Sequence, residues 1–128
     1  MTSYCWNRRA GKNAFERCDY DTALKSFSKA ISLHANKSKY YESRSLCYGK
    51  LFKWSESADD ARKAIKYNVD LKDIAGYIKL AEALLELDDI EGAREAVGKG
   101  LQTNSGSAEL LQLAEQISTR TLRQKGCK

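Results

Sequence analysis

The sequence predicts an all-α domain of three helical hairpins stacked side by side and closed by a seventh helix. Two observations predict it. The 128 residues contain no proline and only 8 glycines, so the usual interruptions of a helix are missing while Ala, Leu, Lys and Glu are plentiful. A pattern of bulky, small and aliphatic residues also recurs along the chain, its members one turn apart on a single helical face. Such self-similarity marks a stacked repeat, in which one unit cannot bury its apolar side alone.

In the first hairpin, Asn7, Ala10, Gly11 and Ala14 form the inner side of the leading helix, and Tyr20, Ala23, Phe27, Ala30 and Ile31 that of the second. Asp19 stands where it can accept hydrogen bonds from the free amides of that second helix. A second copy, Trp54, Ser57, Ala61, Ala64 and Ile65, follows 34 positions on, preceded by Tyr41, Arg44, Ser45 and Tyr48, with Ser55 as the expected cap. The third, Ile90, Ala93, Val97, Gly100 and Leu101, is offset by two more residues, preceded by Tyr77, Leu80, Ala81 and Leu84, and capped by Asp89. The extra residues are expected within 66–73, where they would tilt the third pair against the others.

Gly11, Ser45 and Ala81 are equivalent, and a small side chain there lets paired helices approach to about 8–10 Å. Asn36, Asn68 and Asn104 fall where repeats end and are expected in the left-handed conformation that glycine would otherwise supply. Ser107 caps a last helix whose stripe is Leu110, Leu111, Leu113, Ala114 and Ile117, with Glu109 near its N-terminal dipole. That helix shields the open side of the third repeat. The expectation is one domain over 3–124, with repeats at about 4–37, 38–73 and 74–106, a capping helix at 107–124 and a basic tail at 125–128.

Composition narrows the function. With 42% hydrophobic and 30% charged residues the chain is too apolar for intrinsic disorder. No apolar run approaches the roughly 20 residues of a membrane span, and no signal-peptide core follows Met1, so a cytoplasmic setting is expected, with the nucleus as the alternative. Cys5, Cys18, Cys47 and Cys127 are far apart, with no CxxC pair and only His34 to join them, which points to reduced thiols rather than zinc or disulfides. No glycine-rich phosphate loop, HExxH or GxSxG occurs, and the pairs Asp59-Asp60 and Asp88-Asp89 read as outer-face capping and solubility features. No catalytic residue, cofactor or metal is expected.

Twenty-two basic against 17 acidic residues give a charge of +5, unevenly spread. Arg8, Arg9, Lys12, Arg17, Lys25 and Lys29 make the first third basic. Glu82 to Glu95 is acidic, and Arg120, Arg123, Lys125 and Lys128 make the tail basic again. This polarity argues against uniform nucleic-acid affinity.

The period and these residues resemble the tetratricopeptide repeat family over about residues 3–120. The proline usual near the end of each repeat is replaced by Ala35 and its counterparts. The resemblance implies a right-handed superhelix whose leading helices line a concave groove for an extended peptide. It implies a lining of Cys5, Arg8, Arg9, Lys12 and Phe15 from repeat one, Lys39, Glu42, Ser43, Leu46 and Lys50 from repeat two, and Ala75, Ile78, Lys79, Glu82 and Glu86 from repeat three.

The run Tyr40-Tyr41-Glu42-Ser43-Arg44-Ser45 is similar to the co-chaperone subclass, which grips acidic C-terminal tails of heat-shock chaperones. That subclass uses a carboxylate clamp of Lys and Asn in repeat one, Asn in repeat two, and Lys and Arg in repeat three. The matching positions here hold Arg8 and Lys12, Ser43, and Ala75 and Lys79, so both amides and one cation are replaced. A hydrogen bond to a charged group contributes about 1.5–3 kcal/mol, so losing two or three removes most of a micromolar affinity. The remaining cations Arg8, Lys12 and Lys79, with Lys39 and Lys50 nearby, then favour an acidic peptide in another register.

Two other classes stay open. Tyr4, Trp6, Arg8, Arg9 and Lys12 form a basic and aromatic cluster of the kind RNA binders use, and Leu122 on the last helix allows weak homodimerisation. The leading expectation is a monomeric or weakly dimeric adaptor with a protein partner, away from membranes.

Overall fold

The computed structural model describes the backbone of residues 3–68 and 73–126 and the side chains of residues 9–68 and 73–123. Its elements are α1 (Ser3–Glu16), α2 (Tyr20–Leu33), α3 (Ser38–Lys50), α4 (Trp54–Lys66), α5 (Ala75–Glu86), α6 (Ile90–Thr103) and α7 (Ala108–Gly126), with no strand among the described residues. Each helix packs on the next, and α3 also meets α5, as α5 meets α7, so alternate helices share a layer. No helix among the described residues is long and apolar enough to cross a membrane.

The small-residue positions are where the paired helices cross. A Cβ on Gly11 would stand 2.9 Å from the Phe27 ring, so the α1–α2 approach depends on its absence. In the second hairpin Ser45 Oγ donates to the Ser57 carbonyl at 2.8 Å and Ser57 Oγ donates to the Ser45 carbonyl at 2.9 Å. In the third, Ala81 and Ala93 are both fully buried. Ala30, Ala64 and Gly100 occupy equivalent buried places, and a Cβ on Gly100 would lie 2.8 Å from Leu110, the residue by which α7 docks. The core falls into a small cluster around Ala14, Ala23, Phe27 and Cys47 and a larger one running from Ala58 to Ile117.

Three caps stand as expected: Asp19 Oδ1 accepts from Thr22 N at 3.3 Å, Asp89 Oδ1 from Gly92 N at 3.0 Å, and Ser107 Oγ from Leu110 N at 3.3 Å. Ser55 does not cap α4. The turn closes with Lys53 N on the Tyr48 carbonyl at 2.9 Å, which sets Lys53 at the cap position and leaves Ser55 inside the first turn.

The left-handed residues are also placed differently from expectation. Asn36, Asn68 and Asn104 are not left-handed: α2 ends on His34 at φ −153, α4 on Tyr67 at φ −95 and α6 on Asn104 at φ −143. The left-handed positions lie inside the hairpins instead, at Cys18, Phe52 and Asp88, with φ of 61, 61 and 62. Each begins a turn in which the following amide reaches back to the preceding helix: Asp19 N to Ala14 O, Lys53 N to Tyr48 O, Asp89 N to Leu84 O.

The link α4–α5 spans residues 67–74, four residues more than its counterparts 34–37 and 104–107; with α4 and α5 each one residue shorter than α2 and α3, the net is the two-residue offset. Asn68 Nδ2 donates across it to the Asp73 carbonyl at 3.0 Å. The outer-face expectation for Asp60 is overturned: it is 2% exposed, held by Arg44, whereas Asp59 is exposed and pairs with Arg62.

Candidate functional site

Between α1 and α3, with α2 behind them, lies an open hollow of about 760 Å³ lined by Arg9, Lys12, Asn13, Phe15, Glu16, Phe27, Lys39, Ser43 and Leu46. Helical periodicity explains the membership: Arg9, Lys12, Asn13 and Glu16 fall three or four positions apart along α1, as Lys39, Ser43 and Leu46 do along α3. Phe15 is held edge-on against Tyr20 at 5.3 Å between ring centres. An adjoining hollow of about 130 Å³ shares Leu46 and adds Lys50, Trp54, Lys79 and Glu82.

Of the fifteen lining residues expected from the sequence, thirteen have described side chains; nine of these line the two hollows, and Glu42, Ala75, Ile78 and Glu86 do not. At 7% exposure Ile78 belongs to the core, because one position along α5 from Lys79 turns a side chain by about 100°. The side chains of Arg8 and Cys5, and of Tyr4 and Trp6 in the basic aromatic cluster, lie outside the described residues, as does Cys127. Sequence reasoning missed Trp54, read there as a packing residue; its place as first residue of α4, equivalent to Tyr20 and Ile90, was the available signal. It also missed Asp73, whose role is tertiary.

Asp73 governs the charge in the middle of this surface. Lys39 Nζ donates to Asp73 Oδ2 at 2.8 Å and stands 3.4 Å from Glu42 Oε2. The Asp73 hydrogen bond raises the pKa of Lys39, so this cation stays protonated but is matched by two carboxylates. Burial pushes the Asp73 carboxyl up, yet hydrogen bonds from Lys39 and the Ala75 amide outweigh it and hold the group below its usual value. Glu42 moves the other way: burial and the neighbouring Asp73 charge raise its pKa against the pull of Lys39 and Lys79. Its buried Oε2 accepts no hydrogen bond among the described residues. Arg9, Lys12, Lys50 and Lys79, in contrast, form no salt bridge among the described residues.

Stacked helical hairpins that present a preformed, charged groove define a solenoid recognition domain. The chain belongs to the tetratricopeptide repeat family, as three repeats and a capping helix in a right-handed α-α superhelix. It is 33% identical over 101 residues to the heat shock protein sti1 homolog of Schizosaccharomyces pombe, which covers 79% of this chain and 17% of that protein. The TPR2B domain of yeast Sti1, solved as its pHsp70 complex, is 25% identical and superimposes with a TM-score of 0.85 over 94% of this chain and 99% of that one. The first TPR of Spaghetti (RPAP3), bound to the HSP90 peptide SRMEEVD, is 18% identical with a TM-score of 0.87, covering 94% of each chain. No protein-family model matches the chain. It spans 17–20% of the length of the first curated relatives it matches.

Proposed function

We propose that this chain is a protein–protein interaction module, an adaptor that binds an acidic peptide segment of a partner along its concave face and catalyses nothing. The observation that carries this reading is the set Arg9, Lys12, Lys50 and Lys79: four cations free of salt bridges among the described residues, over Phe15 and Leu46. A preformed groove costs little ordering entropy on its own side, so modest contacts suffice. The yeast Sti1 domain, solved as its pHsp70 complex, and the Spaghetti domain, bound to the acidic peptide SRMEEVD, support it.

Ser43 and Ala75 stand where the co-chaperone clamp places an amide and a cation, so the acidic segment here rests chiefly on Lys12 and Lys79. Calorimetric titration with SRMEEVD tests this. Weak binding is expected, reduced about fivefold by Lys12→Ala and again by Lys79→Ala. Tight binding that ignores both substitutions, or no binding by any acidic peptide, overturns the assignment of the groove.

A further inference from the structure

The concave channel continues past the cationic stretch, and its charge reverses. Beyond Trp54 and Glu82, which it shares with the middle hollow, a third cavity of about 440 Å³ opens between α5 and α7. Its charged lining consists of Glu82, Glu86 and Glu109. Leu85 and Leu113, both buried in the core, contribute apolar wall, and Trp54 adds part of an indole ring.

Among the other exposed acids on the helices, Glu16, Asp21, Glu56 and Glu115 also make no salt bridge among the described residues, but Glu16 and Glu115 each line a hollow that holds no second acid, and the remaining ones are matched. Glu91 is matched by Arg94 at 2.6 Å, Glu95 by Lys99 at 3.1 Å and Asp59 by Arg62 at 3.3 Å. Glu82, Glu86 and Glu109 make no salt bridge among the described residues, in a chain whose net charge is +5. Three unmatched carboxylates around one aromatic-walled concavity form a complement to a cation, which an indole ring also attracts.

We propose that the bound segment is dipolar: its carboxylates lie over Lys12, Lys50 and Lys79, and a lysine or arginine of the same segment enters the cavity among Glu82, Glu86 and Glu109. This rests on the reading that the concave face binds a peptide. Helix spacing sets the distance between the two charges. From the α1–α3 cavity to the α5–α7 cavity is two helix steps of about 8–10 Å, and an extended chain covers about 3.3–3.6 Å per residue, so the cation stands about five or six residues from the acidic end. A wholly acidic segment would meet like charge in this half of the channel, which makes the cavity a means of rejecting such partners.

The test compares SRMEEVD, whose arginine stands five residues from its terminal aspartate, with SQMEEVD in calorimetric titrations of the whole chain. The arginine peptide is expected to bind about five- to tenfold more tightly. In Glu86→Gln/Glu109→Gln, two exposed positions whose variant is checked for unchanged helicity and melting, that preference disappears. Equal affinities in the wild type, or a preference that survives in the double variant, overturn the dipolar assignment while the groove reading stands. Failure of both peptides to bind overturns the groove reading, and this inference with it.

Discussion

Arg44 grips Asp60 through two parallel hydrogen bonds, Nε to Oδ2 at 2.7 Å and Nη2 to Oδ1 at 2.8 Å, and so ties α3 to α4. The same guanidinium donates to Ser28 Oγ on α2 at 3.2 Å and lies 5.9 Å from the Tyr41 ring centre and 6.0 Å from that of Tyr48. Three helices therefore meet on one cation, and the first two hairpins are joined by it. The Asp60 hydrogen bonds push the Arg44 pKa up, so it stays charged whatever its burial.

Removing one partner is the costly change. Asp60→Ala leaves a mostly buried guanidinium without its counter-ion, and a loss of about 3–5 kcal/mol is expected. Arg44→Met/Asp60→Leu, which removes both charges at similar volume, should lose much less or nothing. Urea denaturation decides it: a double variant as unstable as Asp60→Ala would show that the pair itself, rather than an abandoned charge, sets the stability.

A second coupling joins Ser45 and Ser57, whose hydroxyls lie 3.0 Å apart while each donates to the other residue's carbonyl. Each Ser→Ala change is expected to cost about 0.5–1.5 kcal/mol. Changing both should cost less than the sum, because the equivalent Ala81 and Ala93 crossing is buried with no hydroxyl at all. Strict additivity in a double-mutant cycle would contradict the reciprocal bonding.

How much of this could be read beforehand depends on where the information lies. The hairpins and capping helix were legible because Gly11, Ser45 and Ala81 repeat in phase, and the physical demand for a small residue at each crossing is local to the helix. Most of the groove followed from the same phase, as Lys12, Ser43 and Lys79 show. The Arg44–Asp60 fork was not legible: it joins residues 16 apart in sequence on different helices, and Asp60 looks like its exposed neighbour Asp59 until α4 is rotated into place. The pairing of Lys39 with Asp73, 34 positions on, was hidden for the same reason, since periodicity says nothing about a carboxylate in a link. The left-handed turns were missed because Cys18, Phe52 and Asp88 carry none of the glycine or asparagine that normally announces them.

Those turns yield a prediction of the opposite sign. A left-handed conformation costs a non-glycine residue about 1–2 kcal/mol, partly offset in a glycine variant by the greater freedom of its unfolded chain. Cys18→Gly is therefore expected to stabilise the domain by up to about 1 kcal/mol, and Asp88→Gly by less, since aspartate tolerates this region better. Phe52→Gly should gain least. Although 78% exposed, its ring meets Trp54 edge-on at 6.1 Å, and that contact would go. Thermal unfolding of the three variants gives the order, and a destabilised Cys18→Gly would refute it.

The last prediction concerns Glu42, where stability and binding share a proton. Three charged groups face it: Lys39 on its own helix, Asp73 in the link before α5, and Lys79 on α5. Because burial and Asp73 raise its folded pKa above the unfolded value, the fold prefers Glu42 protonated. Its contribution to stability is then greatest below the unfolded pKa and falls as pH rises through the folded one. Asp73 has the opposite sign, its lowered pKa giving stability above the unfolded value that is lost as pH falls through the folded one. Glu42→Gln isolates the first effect: the variant should be more stable than wild type near pH 7, with the difference shrinking towards about pH 4. Acidic peptides should also bind the variant more tightly near pH 7, since a carboxylate beside Lys39 and Lys79 is gone, and the wild type should approach it as falling pH protonates Glu42. Parallel denaturation and titration series across this range decide the matter; a stability difference that does not change with pH would mean that Glu42 titrates as an ordinary surface acid.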